Sequence, residues 1–264
     1  MAFFDTHTHL DYLQRTTNTP LSALMENALN ADVQKILIAA VMARDFENIL
    51  NMTELFPRHL YCGLGLHPLF IKNHQKSHLD ELETYLQKNP QNLTALSEIG
   101  LERSVSELIS DELWRRQCDF LEAQLYLAKQ YKLPVNLHSR KSHDQLFTFL
   151  KRIRLPKCGV LHGFSGSYQQ AKNFVDLGYK IGVGGVISYL RANKTRQAIA
   201  KLPLDSLLLE TDTPDMPVFG FQGEANRPER LVQTFRYLCE LRSEPPAQIQ
   251  QQIWRNSCEM FAVK

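Results

Sequence analysis

The sequence predicts an α/β fold: a closed parallel TIM-type (β/α)8 barrel, formed as a single domain over residues 1–264. Three observations lead there. Eight short apolar runs recur, stretches of helical period separate them, and 264 residues allow about 33 for each strand and helix, the ordinary size of such a unit. The runs are Phe3–Asp5, Ile36–Ala39, Tyr61–Gly65, Thr94–Ser97, Val135–Leu137, Gly159–Leu161, Lys180–Val183 and Leu207–Thr211. Each is mostly apolar and followed by polar residues, Gly or Pro, as a strand buried on both faces requires. Eight of them favour closure over the alternative, a doubly wound open sheet. Among the helical stretches 111–131 is clearest, with Trp114, Cys118, Leu121, Leu125 and Ala128 at intervals of three and four. Asp111 is its expected N-cap and Pro134 its stop. No Gly/Ser-rich linker or charged run divides the chain, hence one domain.

The composition narrows the function classes. With 44% apolar and 22% charged residues, and scattered Gly and Pro, the chain is no disordered, collagen-like or disulfide-scaffold protein. A formal net charge of +2 supplies no broad positive field, so any contact with nucleic acid must be local. The start MAFFDTHTHL lacks a basic n-region, and the longest apolar run, Ile36 to Ala43, is eight residues. Neither a cleavable signal nor a membrane span is expected. Five cysteines, odd in number and never in a CxxC pair, read as reduced thiols in the cytoplasm.

The strongest local signal is His7-Thr-His9 after the first strand, because residues i and i+2 of a strand share a face and can offer two imidazoles to one cation. Alone, such a pair is more often coincidence. Ligand-competent side chains recur, however, at later strand ends: Glu98, His138, His162 and Asp212, after spacings of 89, 40, 24 and 50 residues. Read in strand and helix units, these place ligands on strands 1, 4, 5, 6 and 8. A barrel gathers those ends at one mouth. Each residue taken singly also reads as a helix cap, an ion-paired carboxylate or a hydrogen-bonded core histidine. Four imidazoles and two carboxylates exceed one tetrahedral site with an open position, so two divalent cations are expected, bridged by Glu98. Mixed imidazole and carboxylate donors suit Zn²⁺, Mn²⁺ or Co²⁺ better than Mg²⁺.

These motifs, HxH, EIGL, LHSR, HGFSGS, GGVISY and ETDTPDMP, with GLHP at 65–68, NRPE at 226–229 and NSCEMF at 256–261, resemble in order the TatD-type metal-dependent hydrolases of the amidohydrolase superfamily. The resemblance covers essentially the whole chain. It implies metal ligation by His7, His9, Glu98, His138, His162 and Asp212, activity with Mg²⁺ in many members, and metal-dependent deoxyribonuclease activity, commonly exonucleolytic on single-stranded ends. One departure is visible: the family's EIGLD and following aromatic are here EIGLERS, with Glu102 and Arg103, which puts substrate access in question.

The expected chemistry is hydrolysis by a hydroxide that the cations generate, with Asp212 taking the proton and passing it to the leaving group, and Glu98 the second catalytic carboxylate. Two cations against Glu98 and Asp212 leave about +2 in the mouth, which suits DNA or a small phosphoester as substrate. His67 reads as a phosphate donor or loop anchor rather than a ligand. Arg140, Arg191 and Arg227 read as phosphate contacts or solvated charges. Glu210 reads as a carboxylate that orients a histidine or sits in a buried ion pair. Phe164, Tyr168, Tyr189, Phe219 and Phe221 are candidates for base stacking, or for packing against helices. His59, His74, His78 and His143 read as ordinary surface or helix residues. The alternatives to a nuclease are a small-molecule ester, amide or phosphoester hydrolase and, against the complete ligand set, a degenerate barrel retained for binding. No membrane contact and no stable protein partner are implied.

Overall fold

The computed structural model describes residues 2–263. Strands β1 (Phe3–Thr8), β2 (Val33–Ala39), β3 (Leu60–Leu64), β4 (Leu93–Glu102), β5 (Val135–Arg140), β6 (Gly159–Leu161), β7 (Lys180–Val183) and β8 (Leu207–Leu209) form one parallel sheet in chain order. Helices α1 (Leu10–Thr17) and α2 (Leu21–Asn30) follow β1. Single helices fill the next six connections: α3 (Phe46–Leu55), α4 (Lys76–Lys88), α5 (Asp111–Tyr131), α6 (His143–Ile153), α7 (Tyr168–Asp176) and α8 (Asn193–Lys201). After β8 come α9 (Leu231–Leu241) and α10 (Pro246–Met260). Among the described residues no helix is long and apolar enough to cross a membrane.

Strand alternation divides the apolar side chains into two cores. Ile36, Ile38, Leu207 and Leu209 pack outward against the helices, whereas Leu37 and Leu208, one residue out of phase, point into the barrel with Phe4, Tyr61, Ala95 and Val160. Phe261, beyond α10, joins this inner floor. The seam between β1 and β8 is sewn largely by side chains. The Asp5 carboxylate accepts from the Thr211 N–H and hydroxyl at 2.9 and 2.6 Å, and the Thr6 hydroxyl donates to the Leu209 carbonyl. Beyond it, Thr8 bridges Thr213, the Asp212 N–H donates to the His7 carbonyl and the His9 N–H to that of Thr213.

All eight expected strands exist, but their ends differ. β1 runs on to Thr8 because Thr8 pairs with Ile38. β4 runs on to Glu102 because β5 pairs with it as far as Arg140, and β8 stops at Leu209, before the expected Thr211. Such extensions depend on a partner strand that the local sequence does not contain. Helix α5 has the expected bounds, yet Ser110, not Asp111, caps it by accepting from the Leu113 N–H. Asp111 lies in the first turn, where its charge favours the helix dipole. Trp114 and Cys118 are only partly buried; the covered face comprises Gln117, Phe120, Leu121, Gln124, Leu125 and Ala128.

Candidate metal centre

Glu98 stands at the middle of the barrel mouth because β4 bulges there. Ser97 pairs with Asn136 and Ile99 with Leu137, so Glu98 is the extra residue, at φ 57° in the left-handed region. Asp212 adopts φ 58° just past β8. A carboxylate-bearing residue in this region costs on the order of 1 kcal/mol or more, and such strain concentrates at functional sites. Both carboxylates are thereby turned toward the histidines.

The two oxygens of Glu98 face different sets of imidazoles. His7 and His9 present Nε2 to Oε1 at 3.1 and 3.0 Å, and Asp212 Oδ1 lies 3.5 and 3.6 Å from the same nitrogens. His162 Nε2, His67 Nε2 and His138 Nδ1 lie 3.0, 3.4 and 3.7 Å from Oε2. Within the groups His7, His9, Glu98, Asp212 and His67, Glu98, His138 the donor atoms all fall within 4.8 Å of one another, the spacing of shared ligation.

Hydrogen bonds on the far side of each ring fix which nitrogen keeps a lone pair. Asn136 donates its amide to the Thr6 carbonyl, so its oxygen accepts from His7 Nδ1 at 3.0 Å and leaves Nε2 free to ligate. His9 Nδ1 donates to the Ala39 carbonyl at 2.9 Å with the same result. His138 donates from Nε2 to Glu102 Oε2 at 3.1 Å and keeps its lone pair on Nδ1, toward Glu98. His67 is opposite: its Nδ1 accepts from the Leu69 N–H at 2.9 Å, so the neutral ring carries its proton on Nε2 and aims an N–H, not a lone pair, at the centre. That geometry turns an N–H donor toward Glu98.

The electrostatics are those of buried imidazoles and carboxylates acting strongly on one another. Burial opposes charge on His7, yet Glu98, Asp212 and Glu210 push its pKa up to about 10. Burial and the neighbouring His7 push His162 down to about 3, and its Nδ1 is buried without a hydrogen-bond partner. Burial raises Asp212 although His7 and His9 favour its charged form. Glu98, opposed by burial, is held well below the carboxylate range by His67, His162 and His7. Glu98 Oε2 and His162 Nε2 face each other at 3.0 Å without a well-directed hydrogen bond, inside a cage of imidazole nitrogens and carboxylates, a donor set that fits divalent cations.

The centre opens into a cavity of about 410 Å³ whose walls include His9, His67, Glu98, His138, His162 and Asp212. His7 lies beneath, fully buried. Arg140 lines the cavity; Arg191 and Arg227 do not. None of the five expected stacking aromatics lines it: Phe164 is buried, Phe219 is exposed beside Tyr189, and Arg230 covers Phe221. Tyr12, Leu69, Phe70 and Asp215 line it instead. Asp215 lies in the ETDTPDMP motif, the one signal that pointed toward it.

Glu210 orients no ring. It is fully buried, accepts from the Gly163 N–H beside His162, and is pushed up to about 8 by burial. Gly182 leaves its side chain room, since a Cβ there would strike the carboxylate. The Glu102 substitution is accommodated: Oε2 takes the His138 bond while Oε1 accepts from the Ser104 N–H and hydroxyl at 2.6 and 2.5 Å. His74 and His143 are buried, not surface, residues, and His74 Nε2 donates to the His67 carbonyl at 2.8 Å. Sequence reasoning also missed Gln117 and Gln124 of α5. Gln124 accepts from the Leu66 N–H at 2.7 Å, next to His67, and Gln117 from the Glu102 N–H at 2.8 Å.

Comparison with known proteins bears on the family and the fold. The family model of TatD related DNases matches residues 4–262. An uncharacterized metal-dependent hydrolase of Haemophilus influenzae is 65% identical over 99% of this chain and 100% of its own. The crystal structure of YjjV, a TatD homolog from Escherichia coli, superimposes with a TM-score of 0.93 at 48% identity, covering 99% of this chain and 98% of that one. A hydrolase of the TatD family from Entamoeba histolytica shares the fold, with a TM-score of 0.85 at 20% identity over the full length of both chains. With sequence and fold matched along nearly the entire barrel, the chain belongs to the TatD related DNase family and is a metal-dependent hydrolase.

Proposed function

We propose that the chain is a two-metal phosphodiesterase that removes nucleotides from the ends of single-stranded DNA. One observation carries the reading: a single carboxylate, Glu98, turns its two oxygens toward separate sets of imidazoles. His7, His9 and Asp212 would hold one cation, His138 and His162 the other, with Glu98 shared. Mg²⁺, Mn²⁺, Zn²⁺ and Co²⁺ are the candidates. When bound, such ions neutralise charge on a scissile phosphate and acidify water toward a pKa of roughly 7. Asp212 accepts the proton of the attacking water and returns it to the leaving oxygen. His67 donates its Nε2 proton in a hydrogen bond to a phosphate oxygen, and Arg140 contributes a guanidinium fork. The whole of 1–264 acts as one catalytic domain, and five free thiols suit the cytoplasm.

The site's charge is lower than the sequence suggested. Glu102 and Asp215 also line the cavity, so four carboxylates offset two divalent ions and Arg140 supplies the surplus. A second reading, a small ester, amide or phosphoester hydrolase, is favoured by the apolar wall of Val41, Leu69, Phe70, Pro214 and Met216.

Metal-stripped protein resupplied with Mg²⁺, Mn²⁺ or Zn²⁺ and offered end-labelled single-stranded DNA beside aryl phosphoesters, lactones and amides separates the two. Shortening of the DNA from an end is expected; intact DNA with turnover of the small esters overturns the nuclease. Glu98→Ala should lose at least one of two bound metals by elemental analysis and about a thousandfold in kcat/KM. Unchanged metal content would remove Glu98 from the bridge.

A further inference from the structure

We propose that a basic groove leading out of the metal-centre cavity holds the backbone phosphates of the DNA strand beyond the scissile bond. The proposal rests on the phosphodiesterase reading of the centre. Glu102 and Arg140 form the boundary at which the central cavity meets a second hollow of about 410 Å³. That hollow shares Lys141, His143 and Ser165 with a third, of about 400 Å³, reaching Arg191 and Lys194 at the start of α8. The three adjoin through these shared walls, making one path across the loops after β4, β5, β6 and β7.

The charge along this path is one-sided. Arg140, Lys141, Arg191 and Lys194 line its two outer hollows, where the one lining carboxylate, Glu102, has both oxygens engaged by His138 and Ser104. No described residue makes an ion pair with any of the four groove cations. Arg191 lies over the Tyr189 ring at 4.8 Å, which limits its freedom. His143, with 8% of its surface exposed, lines both outer hollows and has an unpartnered Nε2.

Four convergent, unpaired cations in a chain of net charge +2 suit a ligand with phosphates in series. The centre itself is close to charge balance once two ions are bound. A polyanion must therefore be held from outside it, whereas a small phosphoester reaches no farther than the central cavity.

The test uses metal-loaded protein and a fluorescent single-stranded DNA with phosphorothioate linkages, which resists cleavage. The K141A/K194A double variant should bind this strand on the order of tenfold more weakly at 0.1 M salt, with a log affinity against log salt slope shallower by about 1.4. Its turnover of bis(p-nitrophenyl) phosphate should stay at the native level, because neither lysine lines the central cavity. The control K88A/K157A removes equal charge at the opposite end of the barrel, from the last residue of α4 and from the connection before β6, and should bind as native. Equal affinity and slope in the two variants overturn the groove alone. A native chain that turns over the small diester but neither binds nor cleaves the strand overturns the groove and the nuclease reading together.

Discussion

Glu98 and Asp212 show how much of the centre is decided residue by residue. Each sits in a left-handed conformation that glycine adopts more easily, and in each the side chain is what the centre requires. Around them the histidines are sorted by their outer hydrogen bonds: His7, His9 and His138 turn their other ring nitrogen toward the carboxylates, and His67 turns an N–H there. His74 supports that last ring through the His67 carbonyl, and its own protonation is disfavoured by burial, with His78 and Arg116 adding to the effect. Its folded pKa lies below the unfolded value of about 6.5. The unfolded chain therefore takes up the proton first, and the stability His74 contributes is present above about pH 6.5 and lost as the pH falls below it. His74→Gln keeps an N–H donor and removes the titration. Its unfolding free energy should fall less than that of the native chain between about pH 7 and pH 5 in urea denaturation; an identical decline would show that His74 does not carry the effect.

At the scale of elements, α5 matters more to the centre than its sequence pattern suggests. Its buried face carries two glutamines among the apolar residues, and each grips the backbone at the end of a strand: Gln124 at Leu66 after β3, Gln117 at Glu102 in β4. Leu66 precedes His67, and Glu102 holds His138, so one helix aligns groups on both sides of the cavity. Gln124→Leu keeps bulk but strands the Leu66 N–H and carbonyl in a buried place. A loss of about 1–3 kcal/mol in denaturation experiments is expected, with lowered kcat/KM as His67 shifts. A variant as stable as the native chain would mean that water replaces the amide. The β4 bulge is the other decisive element, since pairing of β5 on both sides of it keeps the extra residue aimed into the mouth.

At the scale of the molecule, the barrel separates stability from chemistry. Phe4, Leu37, Tyr61, Ala95, Val160 and Leu208 fill the floor, Phe261 closes it from beyond α10, and the strand ends opposite carry the histidines and carboxylates. Phe261→Ala should cost about 3–5 kcal/mol of unfolding free energy, read from the urea midpoint at unchanged m-value. A cost below about 1 kcal/mol would show that the floor closes without it. The eight strands, α5 and the six candidate ligands were legible in the sequence because strand period, helix period and strand-end position are local properties. Asp215, Gln117, Gln124 and the support from His74 were not, because each acts on a segment distant in the chain. The sequence by itself determined the barrel and the family, and it named the candidate donor set. Only the tertiary structure decided which nitrogen of each histidine faces the centre, that Arg140 enters the cavity while Arg191 and Arg227 stay outside it, and that a basic path leaves it. Those outcomes depend on contacts between strand ends far apart along the chain, which only closure of the barrel brings within hydrogen-bond range.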